Sequence, residues 1–146
     1  MITHPHTYYM QLALAQAQLA YAAQEVPVGA VVVIDGVIIA KAHNQVQTLT
    51  DCTAHAEILA LTCAFANLGS KYLPTATLYV TVEPCCMCTG AIYWSKLGQL
   101  VYGTPDEKHG GLAHVILHPK TQVIKHVLEL ECRQLMQQFF KERRIV

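Results

Sequence analysis

The chain has 146 residues, of which 53% are hydrophobic and 14% are charged, and its formal net charge is zero. This composition predicts one globular domain over residues 1–146 and excludes an intrinsically disordered chain, which would be poorer in apolar residues. The neutral balance gives no indication of a nucleic-acid partner by itself.

Neither a membrane span nor a secretory leader is expected. No apolar run approaches the roughly 18 residues that would cross a bilayer, and residues 1–6 lack the layout of a signal peptide. We therefore expect a cytoplasmic protein with no membrane partner. Its six cysteines fit reduced thiols better than a disulfide framework, since small disulfide scaffolds are usually shorter and poorer in core residues.

Helical and strand patterns alternate along the chain. In chain order they predict a helix at residues 7–25, strands at 28–34 and 37–40, a helix at 53–68, a strand at 77–82, a helix at 85–95, strands at 100–102 and 123–127, and a last helix at 128–144. Pro27 and Gly69 mark the ends of the first two helices. Asp35-Gly36 is a hairpin turn.

This alternation predicts an α/β protein with three layers, α/β/α, around a mixed central sheet of about five strands. We expect the centre of the sheet to be mostly parallel, with one antiparallel hairpin at an edge. The strands are apolar almost throughout, which indicates that both of their faces are covered.

Two short motifs lie where helices are predicted to begin: T-A-H-A-E at residues 53–57 and E-P-C-C-M-C at residues 83–88. The positive end of a helix stabilises thiolates, and the spacing of Cys85 and Cys88 puts both sulfurs on one side of the first turn. A lone C-x-x-C also fits a redox pair, two buried cysteines or half of a structural zinc site. A closed structural site needs four protein ligands, however, and no second such motif is present.

His55 supplies a third ligand, and three protein ligands with an open position are typical of catalytic zinc. Zinc held in this way lowers the pKa of a bound water to about 7. Glu57 would then carry protons from that water to the substrate ring and to departing ammonia. Alone, a glutamate in a first helical turn is equally explained by the helix dipole. The combined pattern H-x-E…P-C-x-x-C is the signature of zinc-dependent nucleobase deaminases.

The chain resembles the bacterial tRNA-specific adenosine deaminases of the cytidine deaminase-like superfamily. Besides the two motifs, the similarity includes Asn44 and the segments E-V-P-V-G-A (25–30), V-Y-G (101–103), L-H-P (117–119) and F-F-K-E-R-R (139–144). The resemblance implies a cytidine deaminase-like fold, one Zn²⁺ per subunit and a homodimer. It also implies hydrolytic deamination of the wobble adenosine in the anticodon loop of a tRNA to inosine.

The resemblance further implies roles for individual residues. Zinc would be bound by His55, Cys85 and Cys88, and Glu57 would be catalytic. The target base would be bound by Asn44, Val28 and Ala56. RNA would be contacted by Lys108, Phe139, Phe140, Arg143 and Arg144. The alternative for this last group is a core phenylalanine and solvated arginines at a helix end, and we expect at least one phenylalanine to be core.

Two other functions remain open at this stage. A-I-Y-W at residues 91–94 is similar to guanine deaminases, so a deaminase of free guanine or cytosine is the first alternative. A non-catalytic, zinc-stabilised subunit is the second, and the presence of Glu57 argues against it. The chain departs from the family at Cys52, where proline is usual, and at Cys86, where a small aliphatic residue is common.

Overall fold

The computed structural model describes residues 4–144. Residues 1–3 and 145–146, at the two ends of the predicted domain, lie outside the described residues. Residues 1–3 are half of the segment that lacks the layout of a signal peptide. The elements are α1 His6–Ala22, β1 Gly29–Ile34, β2 Val37–His43, α2 Val46–Leu49, α3 Ala56–Leu68, β3 Thr77–Val82, α4 Cys86–Ser95, β4 Gln99–Thr104, β5 Gln122–Ile124 and α5 Glu129–Arg144. Within residues 4–144, no helix combines the length and the apolar character needed to cross a bilayer.

The five strands form one mixed sheet in the order β2-β1-β3-β4-β5. β1 pairs antiparallel with both β2 and β3, whereas β3–β4 and β4–β5 are parallel. The edge hairpin is therefore confirmed, but the expectation of a mostly parallel centre is wrong. The parallel half begins only at β3, because the connection from β2 through α3 returns the chain to the sheet antiparallel to β1.

Helices cover both faces of the sheet, which confirms the three layers. On one face, Val31, Tyr79 and Val101 pack with residues of α1 and α5. On the other, alternate residues of the same strands, including Val32 and Val80, pack with residues of α3 and α4. Side chains of a strand point alternately to opposite faces, so the continuous apolar runs supply both cores.

Several boundaries differ from the sequence predictions. Helix α1 ends at Ala22, well before Pro27, because Gln24 adopts a left-handed conformation with φ of 63°. Leu19, within α1, is 53% exposed. Strand β2 runs on to His43 and is partly exposed, because it lies at the edge of the sheet. The short helix α2 was not predicted, since its four residues are too few to show a helical period.

Candidate metal centre and substrate cavity

The chain ends that carry the two motifs meet at one end of the sheet. Parallel pairing aligns the last residues of β3 and β4, Val82 and Thr104. Antiparallel pairing brings the start of β1 and the end of β2 to the same place, where Gly29 lies opposite His43. The Gly29 N–H donates to Thr81 Oγ1 on β3 at 3.1 Å, which ties these two groups together. Loops that leave this end therefore converge on one crevice, as at the carboxyl ends of strands in other α/β proteins.

His55 and Cys85 each occupy the position immediately before a helix. Both have extended backbone angles, and their carbonyls accept the first hydrogen bonds of the helices, from the N–H groups of Leu59 and Thr89. Two positive helix ends thus face the same point. Because Cys88 lies one turn further along α4, its sulfur faces the same side as that of Cys85. The prediction that both motifs lie at helix starts is confirmed, although α3 begins three residues later than expected.

The three predicted ligand atoms form a compact triangle. His55 Nδ1 lies 3.6 Å from Cys85 Sγ and 3.6 Å from Cys88 Sγ, and all three atoms lie within 4.8 Å of one another. A tetrahedral ion with usual Zn–S and Zn–N bond lengths would hold nitrogen and sulfur about 3.6 Å apart. The donor set and its spacing therefore fit zinc.

The electrostatics of this triangle also favour a bound cation. Hydrogen bonds from Cys88 and His55 lower the pKa of Cys85 to about 3, whereas the hydrogen bond to Cys85 and burial raise the pKa of Cys88. The surroundings of Cys85 thus favour its thiolate form. A divalent cation at the centre would stabilise both thiolates, because metal ligation requires the deprotonated form.

Glu57 lies beside this triangle, in the first turn of α3, and is only 4% exposed. Burial is the main cause that raises its pKa to about 7, and the negative charge of Cys85 adds to the effect. A carboxyl group with a pKa near neutrality can both accept and donate a proton, as general acid–base catalysis requires.

A cavity of about 1440 Å³ opens above His55 and Glu57. Val28 and Asn44, two of the residues predicted to bind the base, line it. Ala56, the third, is fully buried outside that lining. The backbone N–H of Ala56 donates to Asn44 Oδ1 at 2.7 Å, so this residue fixes the orientation of Asn44. Since Oδ1 is occupied as an acceptor, the Asn44 amide nitrogen is the group left to donate a hydrogen bond.

The residues predicted to contact RNA lie on the walls of the same cavity: Lys108, Phe139, Phe140, Arg143 and Arg144. The two phenylalanines differ, because Phe139 is buried against Tyr21 whereas Phe140 is 41% exposed. The expectation of one core phenylalanine is therefore confirmed. The Arg143 guanidinium lies over the Phe139 ring and donates to the carbonyl of Gln24 at 2.5 Å. Arg143 thus attaches α5 to the segment that follows α1.

Two glutamates on the cavity wall were not identified from the sequence. Glu25 is 2% exposed, and its carboxylate accepts hydrogen bonds from the N–H of Gln47 and from the N–H and hydroxyl of Thr48. It thereby caps the start of α2, just after Asn44. Glu83 accepts hydrogen bonds from two backbone N–H groups of the loop after β4. For Glu83, a charged residue directly between an apolar run and a proline was the available signal.

Cys52 and Cys86, where the sequence departs from the family pattern, have exposed side chains. Cys86 is the first residue of α4, and the triangle of candidate ligands consists of His55, Cys85 and Cys88 without it. Cys86 is therefore not one of the candidate metal ligands, although it is adjacent to Cys85 in the chain.

Comparison with known proteins agrees with this geometry. The MafB19-like deaminase family matches residues 4–144. A tRNA-specific adenosine deaminase of Agrobacterium fabrum (strain C58 / ATCC 33970) is 40% identical over 146 residues, which cover 95% of this chain and 96% of the relative.

Two solved structures are also similar. One comes from studies of A-to-I editing by tRNA:A34 deaminases at the wobble position of transfer RNA; it matches with a TM-score of 0.84 at 40% identity, over 88% of this chain and 99% of its own. A guanine deaminase from Bacillus subtilis matches with a TM-score of 0.67 at 39% identity, over 70% of this chain and 66% of its own. The chain therefore belongs to the MafB19-like deaminase family, as a relative of the tRNA-specific adenosine deaminases.

Proposed function

We propose that the protein is a zinc-dependent deaminase that converts the wobble adenosine of a tRNA to inosine. The observation that carries the proposal is the triangle of His55, Cys85 and Cys88 beside the buried carboxyl of Glu57, at the foot of a cavity that extends to α5. The extensive identity with tRNA-specific adenosine deaminases supports the choice of substrate.

In this proposal His55, Cys85 and Cys88 hold one zinc ion per subunit. Zinc in such a site supplies a nucleophile at neutral pH by lowering the pKa of water to about 7. Glu57 accepts a proton from the attacking water, passes it to the ring nitrogen of adenine and then assists departure of the amino group. The net reaction consumes one water and releases one ammonia, and the carbon that bore the amino group becomes the carbonyl carbon of inosine. Asn44 and Val28 hold the base above Glu57.

The size of the cavity supports a polymeric substrate. At about 1440 Å³ it exceeds the roughly 300–1,000 Å³ that are usual for small-molecule sites. Its outer wall carries cationic and aromatic side chains, including Lys108, Phe140 and Arg144. Cations pair with phosphates and aromatic rings stack on unpaired bases, so this wall suits a single-stranded loop with its bases turned outwards.

The test is to incubate the zinc-loaded protein with an arginine-tRNA anticodon stem-loop and, separately, with free guanine, cytosine, adenine and cytidine. We expect inosine in the RNA, little ammonia from the free compounds, and no product from a Glu57→Ala variant that still holds zinc. Ammonia from a free base with the RNA unchanged would replace tRNA by that base as the substrate. The similarity to guanine deaminase makes guanine the first compound to compare. No turnover on any of these compounds by a folded, zinc-loaded protein would favour a non-catalytic subunit.

We also propose that the protein acts as a homodimer of single-domain subunits in the cytoplasm, where tRNA is modified. Large apolar side chains lie exposed on α4 and on the segment that follows α3: Trp94 is 75% exposed, Met87 38% and Tyr72 38%, and Tyr72 and Trp94 line one shallow pocket. Contiguous exposed apolar surface is typical of subunit interfaces. Light scattering should give twice the chain mass for the wild type and a lower mass for Trp94→Glu. A monomeric wild type would contradict the proposal.

A further inference from the structure

Glu83 is a half-buried carboxylate that the proposed mechanism does not use. It follows β3 directly, and its own N–H donates to the carbonyl of Thr104 at the end of β4, at 2.9 Å. Its side chain faces the loop at residues 106–112, here called the clamp loop. Glu83 Oε1 accepts from the N–H of Asp106 at 3.2 Å, and Oε2 accepts from the N–H of Leu112 at 3.3 Å. One carboxylate thus joins both ends of the clamp loop.

The clamp loop lies directly on the turn that carries the metal ligands. The N–H of Gly111 donates to the carbonyl of Pro84 at 2.8 Å. A Cβ at Gly111 would lie 2.6 Å from backbone atoms of Cys85 and Cys86, and one at Gly110 would collide with Glu83 Oε2. Such close approach requires glycine at both positions. The loop and the cysteine turn therefore fit together as one packed unit.

This arrangement determines where the outer part of the clamp loop lies. The N–H groups of Lys108 and His109 donate to Asp106 Oδ1, at 3.1 and 2.9 Å. Asp106 is in turn attached to Glu83. Lys108 and His109 line the mouth of the cavity, so the chain of contacts runs from Glu83 through Asp106 to a cationic side chain at the entrance.

We propose that Glu83 is a positioning residue, whose carboxylate fixes the clamp loop and thereby holds Lys108 at the cavity mouth for binding of the RNA substrate. This inference rests on the proposed tRNA deaminase function. Glu83 acts through the loop and not on the reacting atoms. Its loss should therefore weaken substrate binding while the chemical step and the metal site persist.

The first experiment compares Glu83→Gln with Glu131→Gln, an exposed glutamate of α5 that does not line the cavity. Glutamine places an N–H₂ group against a backbone N–H, so the loop should detach at one end. We expect the KM for the anticodon stem-loop to rise about tenfold, with kcat and zinc content close to those of the wild type. Glu131→Gln should leave all three unchanged. A loss of zinc and of kcat at constant KM would overturn the proposal, because Glu83 would then support the cysteine turn alone.

A second measurement does not depend on activity. Trypsin cuts after Lys108, and release of the loop should make this cut faster in Glu83→Gln than in the wild type and Glu131→Gln. Gly110→Ala tests the same contact from the loop side and should reproduce both effects if Glu83→Gln folds poorly. Unchanged cleavage and unchanged KM in both variants would overturn the proposal that Glu83 fixes the clamp loop.

The link to Lys108 is tested by a double-mutant cycle. Lys108→Ala alone should raise KM, but it should add little in the Glu83→Gln background if Glu83 acts through Lys108. Fully additive effects would contradict that route. If the wild type fails to deaminate the stem-loop while Glu83→Gln is still cut faster, the proposed function is wrong, but the attachment of the clamp loop by Glu83 is supported.

Discussion

Asn44 and Ala56 are joined by a buried hydrogen bond in which the Ala56 N–H donates to Asn44 Oδ1 at 2.7 Å. The bond connects the end of β2 to the first turn of α3, where His55 and Glu57 lie. It fixes which atom of the amide accepts and leaves the Asn44 nitrogen as a donor at the cavity wall. A structural contact therefore determines the hydrogen-bonding character of this part of the cavity wall.

Asn44→Asp keeps an acceptor for Ala56 but replaces the donor. We expect kcat/KM to fall about 100-fold with a change in unfolding free energy within about 1 kcal/mol. Asn44→Ala should lose activity to a similar degree and also cost about 1–3 kcal/mol of stability, because the Ala56 N–H is left unpaired. Steady-state kinetics and urea denaturation distinguish the two variants. Full activity in Asn44→Asp would remove Asn44 from base recognition.

Cys88 and Cys86 form a matched pair for testing the metal site. Cys88→Ser should abolish stoichiometric zinc binding and activity, because one of three ligands is lost. Cys86→Ser should keep both, since Cys86 is exposed and lies outside the triangle. Metal analysis and thermal melting with and without a chelator provide the measurement, and zinc addition should raise the Tm only where the triangle is intact. Full zinc content in Cys88→Ser would show that the ligand set is wrong.

Glu57→Gln preserves the shape of the side chain but cannot transfer a proton. We expect kcat to fall by about 10²–10⁴-fold with zinc content unchanged, since general acid–base catalysis contributes about that much. Metal analysis beside single-turnover kinetics separates the chemical step from zinc loading. Normal turnover by a zinc-loaded Glu57→Gln protein would place the proton transfer elsewhere.

Glu25 predicts a pH dependence of stability. Burial alone would raise its pKa, but hydrogen bonds from Thr48 and Gln47 outweigh burial and lower the pKa below the usual 4.5. A carboxyl group whose pKa is lowered on folding stabilises the protein above its unfolded pKa, and this stabilisation is lost as pH falls through the folded value. At pH 7 we expect Glu25→Gln to be about 1–3 kcal/mol less stable than the wild type.

The difference between Glu25→Gln and the wild type should shrink as the pH falls below about 4.5, where the unfolded wild-type chain takes up its proton first. Denaturant melts from pH 3 to pH 7 measure the difference. The positive charge of a protonated His43 would also lower the pKa of Glu25, so the comparison should be repeated with His43→Gln. A difference that does not depend on pH would contradict the assignment.

Phe139 and Phe140 are adjacent but should behave differently. Phe139→Ala should cost about 3–5 kcal/mol of stability, because a buried ring that packs on Tyr21 is removed. Phe140→Ala should leave the Tm nearly unchanged and raise the KM for the stem-loop, since stacking of a base on an exposed ring is worth about 1–3 kcal/mol. An unchanged KM in Phe140→Ala would remove this residue from RNA recognition.

Predictions from sequence succeeded where the signal is local. The two turns that carry the candidate metal ligands were located because a helix start depends on a few neighbouring residues, and the strands because their apolar runs are uninterrupted. Local patterns failed at α2, whose start is capped from Glu25, more than twenty residues earlier in the chain. They also failed at the end of α1, where Gln24 accepts a hydrogen bond from Arg143 at the far end of the chain.

The sequence by itself predicted the α/β layering, the candidate metal ligands and the candidate proton carrier, because all three depend on residue identity and short spacings. Only the tertiary structure decided the sheet order, the orientation of Asn44, the burial of Phe139 beside an exposed Phe140, and the hydrogen bonds of Glu83. Each of these depends on contacts between segments distant in the chain. Such contacts form only when the sheet brings its strand ends together, so no periodicity within a single segment encodes them.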